Sequence, residues 1–244
     1  MALQKRLVQG IKKAFRCVGL DIRIASEIDD FYSRLLVGLR HHRIDTLLDI
    51  GANEGQFALG LINSGYCGRL ISFEPMATAH ARLCQLAASH AGWEIAEAVA
   101  LGAEPGEAEI NVSANSVSSS LLPIEDSHLK TAPQSAYVGT EMVRVMRLDD
   151  IAANYVHAKE RLFLKIDTQG FESQVLGGAQ QTLTRCTGVL LEMSLVELYS
   201  GQTLWEEVWA WLRAAGFEPW AIDRSFSDPT NGRTLQCDVT FFRM

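Results

Sequence analysis

Four acids stand at the ends of apolar runs in this chain. Asp49 follows Leu47-Leu48, Glu74 follows Leu70-Ile71-Ser72-Phe73, Asp167 follows Leu164-Lys165-Ile166, and Glu192 follows Val189-Leu190-Leu191. Such runs read as buried strands, and in an open α/β sheet ligands lie beyond the carboxyl ends of the strands. A carboxylate placed there can pair with a cation, accept hydrogen bonds from a diol, or take a proton from a hydroxyl. Each acid also has a structural alternative. Asp49 can cap a helix near its turn, Glu74 can open the helix behind Pro75, and Asp167 can be the N-cap of the helix after it. Glu192 can be a buried acid neutralised by Lys165 or an arginine. Asp149 is expected to cap its own short helix, and His128 to be a solvated histidine of a polar loop.

The elements that hold the first two acids are written around them. Leu47-Leu48-Asp49-Ile50-Gly51-Ala52-Asn53-Glu54-Gly55 is a strand running into a glycine turn and a helix, and a second strand then ends in Glu74. Strand, turn, helix, strand and acid outline a nucleotide-binding βαβ unit. A dinucleotide cradle wants G-x-G-x-x-G, and Gly51-x-x-x-Gly55 lacks the middle glycine. S-adenosylmethionine carries an amine and a sulfonium but no phosphate, which suits the acid before the turn. In that reading Gly51 lets the backbone approach the ligand, Asp49 faces the methionyl amine directly or through water, and Glu74 accepts both ribose hydroxyls.

The remaining chain continues the alternation. A helix is expected over 28–40, then strand 46–50, helix 55–63, strand 69–74, helix 77–90 and strand 93–100. Strand 107–112 precedes a polar stretch, 113–138, expected to cover the site. Strand 141–147, strand 161–166, helix 171–184, strand 188–192, helix 204–215 with a Thr203/Glu206 capping box, and strands 217–222 and 235–242 follow. This predicts an α/β fold: a Rossmann-like, seven-stranded, mostly parallel sheet with an antiparallel edge strand and helices on both faces. Residues 1–40 are expected to form an N-terminal helical segment packing on a domain of residues 41–244. The tryptophans Trp205, Trp209, Trp211 and Trp220 read as packing residues, given their helical spacing.

The bulk chemistry limits the partners. The 244 residues are 48% hydrophobic and 21% charged, with net charge −7, so no nucleic-acid partner is expected. Residues 1–20 differ: Lys5, Arg6, Lys12, Lys13 and Arg16 stand there without an acid, among apolar residues at helical spacing. An amphipathic helix over residues 1–18 would pack on the domain or touch an anionic membrane surface. Five scattered cysteines without a CxxC read as reduced and mostly buried, and the chain as cytoplasmic or peripheral to the inner membrane face. No metal is expected, because no compact Asp-Asp or Asp-Asn pair ends strand 188–192.

From about residue 44 onward the chain resembles the FkbM family of S-adenosylmethionine-dependent methyltransferases. The residues that carry the resemblance are Asp49–Gly55, Ser72-Phe73-Glu74-Pro75, Ala100-Leu101-Gly102, Arg147-Leu148-Asp149-Asp150 and Leu164–Glu172. Val175–Ala179, Leu191-Glu192 and Leu235-Gln236-Cys237-Asp238 complete it. Lys165-Ile166-Asp167-Thr168-Gln169-Gly170-Phe171-Glu172 is the most specific block, with Gln169 where many relatives have Glu. The resemblance implies S-adenosylmethionine as cofactor, held by Asp49, Gly51, Ala52, Asn53, Gly55, Glu74, Pro75 and Ala100. It implies O-methylation of a small-molecule or lipid-linked sugar acceptor: a glycolipid, a polysaccharide or a glycosylated metabolite. Asp167 is then the preferred base, with Glu172 or Glu192 holding substrate hydroxyls. The competing readings are a nicotinamide-dependent oxidoreductase, a nucleic-acid methyltransferase and a non-catalytic scaffold of the same fold.

Overall fold

A computed structural model of the chain describes residues 30–244. The basic segment 1–20 lies outside the described residues. Helix α1, Phe31–His41, is capped by Asp30, whose carboxylate accepts from the Tyr32 and Ser33 amides. It buries Leu35, Leu36 and Leu39 against one face of the central sheet. Then come β1 (Thr46–Ile50), α2 (Gln56–Asn63), β2 (Arg69–Phe73), α3 (Ala77–Ala87), β3 (Trp93–Ile95), β4 (Ala100–Leu101) and β5 (Gly106–Ser113). The second half holds α4 (Asp126–Thr131), β6 (Tyr137–Met146), α5 (Leu148–Ile151), β7 (Leu162–Ile166), α6 (Glu172–Gly177) and α7 (Gln180–Arg185). It ends with β8 (Cys186–Ser194), α8 (Trp205–Ala214), β9 (Phe217–Ser227) and β10 (Thr234–Arg243).

The central sheet has seven strands in the order β3-β2-β1-β7-β8-β10-β9. Strands β3, β2, β1, β7 and β8 are mutually parallel. Strand β10 enters antiparallel to β8, and the edge strand β9 is antiparallel to β10. The fully buried patterns of β1 and β7 follow from helices covering both faces. The chain reverses its winding between β1 and β7, which opens a crevice at their carboxyl ends. Strands β4, β6 and β5 make a separate three-stranded sheet.

Several expected elements are redrawn. The strand expected over 93–100 is two strands: after Ile95 the chain leaves the main sheet, and Ala100-Leu101 pairs with β6 instead. The helix expected over 171–184 breaks at Gly178, where a Cβ would come within 1.9 Å of the Gly102 carbonyl oxygen. Asp149 caps the second half: its carboxylate accepts from the Gln181 and Thr182 amides at 2.8 and 2.7 Å. Its own helix has Arg147 as N-cap, which corrects the expectation for Asp149. The Thr203/Glu206 capping box does not form, because Thr203 Oγ1 bonds Ser173 Oγ and Leu204 is the N-cap. Trp205 and Trp209 pack on the core as expected, Trp220 is partly exposed but packs against His41, His42 and Phe242, and Trp211 is exposed. Cys186 and Cys237 are buried, Cys67 and Cys84 exposed, and all four are free thiols. Among the described residues no helix is long and apolar enough to cross a membrane.

Candidate active site

The carboxyl ends of β1, β2, β7 and β8 open into a cavity of about 340 Å³. Of the expected site residues, Gly51, Ala52, Asn53, Glu74, Pro75, Ala100, Asp167 and Glu192 line it. Ser116, Val117, Ser119, Ser120 and Leu121 of the polar stretch complete the wall, so that stretch covers the site. Asn53, Ser116 and Gln169 are three of the four described non-glycine residues with positive φ, and all three line the cavity. Backbone strain of this kind collects where a site needs a fixed shape.

At the β1–β2 end, the turn is locked to the neighbouring strand. The Asn53 amide donates to Glu74 Oε2 at 2.8 Å, and the Met76 amide to Glu74 Oε1 at 2.9 Å. Burial pushes the Glu74 carboxyl up to about 7, against those two amides. Asn53 Oδ1 is buried in the wall without a hydrogen bond among the described residues. Gly51 has φ +76°, and a Cβ there would meet the Asp167 carbonyl oxygen at 1.9 Å. The glycine is therefore required by the closeness of β7 as well as by the turn.

At the other end, acids stand side by side. Glu192 and Asp238 are register partners on β8 and β10, and Asp167 follows the last residue of β7. All three line the cavity. Asp223 extends the row onto β9, where Arg34 of α1 pairs with it. Burial, then the charge of Asp167, pushes Asp238 up to about 7. Burial and the neighbouring Asp167 and Asp238 raise Glu192 well above the ordinary carboxylate range. Gln169 Nε2 donates to Asp167 Oδ1 and to Glu192 Oε2, both at 2.8 Å. Gln236 Nε2 reaches the same Glu192 oxygen at 2.9 Å. Sequence reasoning named Asp238 and Gln236 only as part of a motif; pairing across β8 and β10 is what brings them in.

Three expected site residues do not face the cavity. Asp49 is fully buried: Lys165 Nζ lies 2.9 Å from its Oδ1, and Ser72 Oγ donates to its Oδ2. That corrects the expectation that it faces the ligand amine, and gives Lys165 its acid partner. Gly55 is the N-cap of α2 at φ +89°, crowded by Trp93 and Leu83. Glu172 is turned into its own loop, where its Oε1 accepts from the Thr168 and Gly170 amides at 2.9 and 3.1 Å. It organises the turn that carries Asp167 and Gln169. Asp167 is no helix cap, since α6 starts after Phe171. His128 is buried in α4 against Tyr199 and Phe226, and burial pushes it down to about 4, so it is not a solvated loop histidine.

The cavity wall combines the apolar side chains Met76, Val99, Leu101 and Ile110 with the carboxyls of Glu74, Asp167, Glu192 and Asp238. The model of the methyltransferase FkbM domain matches residues 49–219. This chain belongs to the FkbM methyltransferase family. Its cofactor is S-adenosylmethionine, and its chemistry is methyl transfer, which sets aside the nicotinamide-dependent oxidoreductase. No curated protein sequence gives a significant match. Among solved structures, TehB from Haemophilus influenzae is 10% identical with a TM-score of 0.47, covering 88% of this chain and 63% of its own. This chain thus spans just under two thirds of that protein. An rRNA methylase from Streptococcus thermophilus is also 10% identical at TM-score 0.47, covering 91% and 99%. Aeropyrum pernix fibrillarin, solved with S-adenosylmethionine bound, is 10% identical at TM-score 0.46, covering 81% and 66%.

Proposed function

We propose that this FkbM-family protein methylates a hydroxyl of a sugar, carried on a glycolipid, a polysaccharide or a glycosylated metabolite. One observation carries this reading: Asp167, Glu192 and Asp238 present a row of acids to the acceptor end of the cavity. The only basic side chain in the wall of the described structure is Lys165, paired first with Asp49 at 2.9 Å and then with Asp167 Oδ2 at 3.6 Å, so the acids outnumber it. Such a surface disfavours phosphates and favours neutral polyols, whose adjacent hydroxyls donate to paired carboxylates.

Glu74 would hold the ribose hydroxyls, Asn53 and the 51–53 backbone the methionyl part, and the apolar side chains with Ala100 and Pro75 the adenine. Bound S-adenosylmethionine supplies an electrophilic methyl group on a sulfonium. The chain has three tasks. It aligns the acceptor oxygen, keeps water out with the 116–121 wall, and removes the hydroxyl proton. Alignment is the larger part, because sulfur leaves readily. Asp167, the more exposed acid of the row, takes the proton, and Glu192 and Asp238 hold neighbouring hydroxyls. For a lipid-linked acceptor, residues 1–18 would rest on an anionic membrane face.

Calorimetry with S-adenosylmethionine, its demethylated product and NAD tests the cofactor, with binding of the first two expected. Mass spectrometry of glycolipids and polysaccharides from a deletion strain tests the acceptor. A sugar species lighter by one methyl group is expected. A change confined to protein, nucleic acid or non-sugar lipid would overturn the reading.

A further inference from the structure

Gln169 occupies an unusual position. It is the residue after the β7 turn, its φ is +55°, and every polar atom of its side chain is engaged. Its amide nitrogen donates to two different carboxylates, Asp167 Oδ1 and Glu192 Oε2. Its Oε1 accepts from the Tyr199 hydroxyl at 2.7 Å, and its backbone carbonyl accepts from Ser120 Oγ at 2.7 Å. Tyr199 is fully buried and has a single proton to give, and of the two acceptors its hydroxyl reaches, Gln169 Oε1 at 2.7 Å is closer than the Ser118 carbonyl at 3.3 Å. The amide has one workable orientation, because turning it over would aim an oxygen at two carboxylates.

We propose that Gln169 is a positioning residue, oriented by Tyr199, that clamps Asp167 Oδ1 and Glu192 Oε2 and so leaves Asp167 Oδ2, which also stands 3.6 Å from Lys165 Nζ, and Glu192 Oε1 to meet the acceptor hydroxyl. This rests on the acceptor-site reading given above. Glu192 Oε2 accepts from both Gln169 and Gln236, which occupies the oxygen as an acceptor and disfavours a proton there. Gln236 is itself steadied at 3.2 Å from Ser194 Oγ. Any proton that Glu192 holds therefore favours Oε1, the oxygen without a hydrogen bond among the described residues. The clamp sets which atom of each acid can act, and keeps two like-charged groups at a fixed separation. Without it, the acids would swing apart or share a proton directly. The other charged groups around Glu192 are Asp167 and Lys165 from β7, Asp238 from β10 and Glu172 at the head of α6, with the Tyr199 phenol beside them.

The test uses the full-length protein with S-adenosylmethionine, in three variants: Gln169→Leu, Gln169→Glu and Tyr199→Phe. In all three kcat falls, by roughly 10- to 100-fold for the Gln169 variants, part of the ~10²–10⁴ that a positioned base contributes. The KM for S-adenosylmethionine stays within about twofold, since these atoms do not touch the cofactor section. The acid limb of the kcat–pH profile moves to higher pH, furthest in Gln169→Glu, where a third carboxyl enters the cluster. Carbon-13 NMR of the Glu192 carboxyl follows the same titration in protein without acceptor. A Glu192 titration and a kcat–pH profile unchanged in Gln169→Leu and Tyr199→Phe would overturn the clamp. If the variants shift the Glu192 titration but the wild type methylates no sugar, the acceptor reading fails and the clamp stands.

Discussion

Lys165 Nζ lies 2.9 Å from Asp49 Oδ1, across two register-paired residues of β1 and β7, with both side chains buried. The same ammonium donates to the Gly51 carbonyl at 3.2 Å and stands 3.6 Å from Asp167 Oδ2. One buried cation therefore joins the glycine turn, the acid before it and the first acid of the acceptor row. Burial opposes its charge, but Asp49 and then Asp167 outweigh that and hold its pKa above the ordinary lysine value.

Lys165→Met should leave Asp49 an unpaired buried carboxylate. A loss of about 3–5 kcal/mol is expected on urea unfolding, because breaking a buried pair costs more than the pair contributes. The double variant Asp49→Leu with Lys165→Met should recover most of it. A loss in the single variant below about 1 kcal/mol, the value of an exposed pair, would contradict this placement.

In the proposed binding mode, with Glu74 on the ribose hydroxyls, cofactor binding has a pH dependence of known sign. Two ribose hydroxyls are bound best by a carboxylate, and burial pushes this carboxyl up to about 7. Affinity for S-adenosylmethionine should therefore rise as pH goes from 6 to 8, and level off above. Glu74→Gln should weaken binding by roughly tenfold or more, about the 1.4 kcal/mol worth of one good acceptor, and flatten the slope. Calorimetric titrations at four pH values would show it. A full slope in Glu74→Gln would assign the dependence to other acids.

The sequence made the fold legible because its strongest signals are local. The 46–50, 69–73 and 162–166 strands are apolar runs with hard stops, and their boundaries agree with the structure within a residue. The acids at their ends were legible for the same reason. What could not be read was direction. Asp49 and Glu172 have the same look in sequence as Asp167, yet Asp49 turns to Lys165 and Glu172 to its own loop amides. Side-chain direction depends on which groups lie within reach across strands distant in sequence. Asp238 was missed because only antiparallel pairing with β8 sets it beside Glu192. The need for glycine at the break, Gly178, was not legible because the atom that excludes a side chain there, the Gly102 carbonyl oxygen, is remote in sequence.

Buried acids also set the pH dependence of stability. Glu74 and Glu172 sit near 7 in the folded protein, each pushed up by burial, against an ordinary 4.5. Between those values the folded state holds protons that the unfolded chain has released, so stability falls as pH rises across that window. It is fully present below about 4.5 and flat above 7 for these two groups. Scanning calorimetry from pH 5 to 8 should show Tm declining. Glu172→Gln should flatten the decline, provided the variant amide keeps the loop contacts. A Tm that rises steadily to pH 8 would reverse the sign argued here.

Asp167→Asn and Asp238→Asn should separate proton removal from substrate holding. Asp167 is the base in the proposed reaction, and asparagine keeps its shape, so S-adenosylmethionine should bind normally while kcat drops by about 10²–10⁴. Asp238 touches neither cofactor section nor clamp, but its charge faces Glu192 across the β8–β10 register. Removing it lowers the cost of ionising Glu192. The acid limb of the kcat–pH profile should then move down by roughly 1 unit, the equivalent of about 1.4 kcal/mol, while KM for the acceptor rises. Steady-state kinetics from pH 5.5 to 9 measures both. If Asp167→Asn instead abolishes cofactor binding, Asp167 belongs to the cofactor, and Glu192 with Asp238 becomes the pair to test for the base.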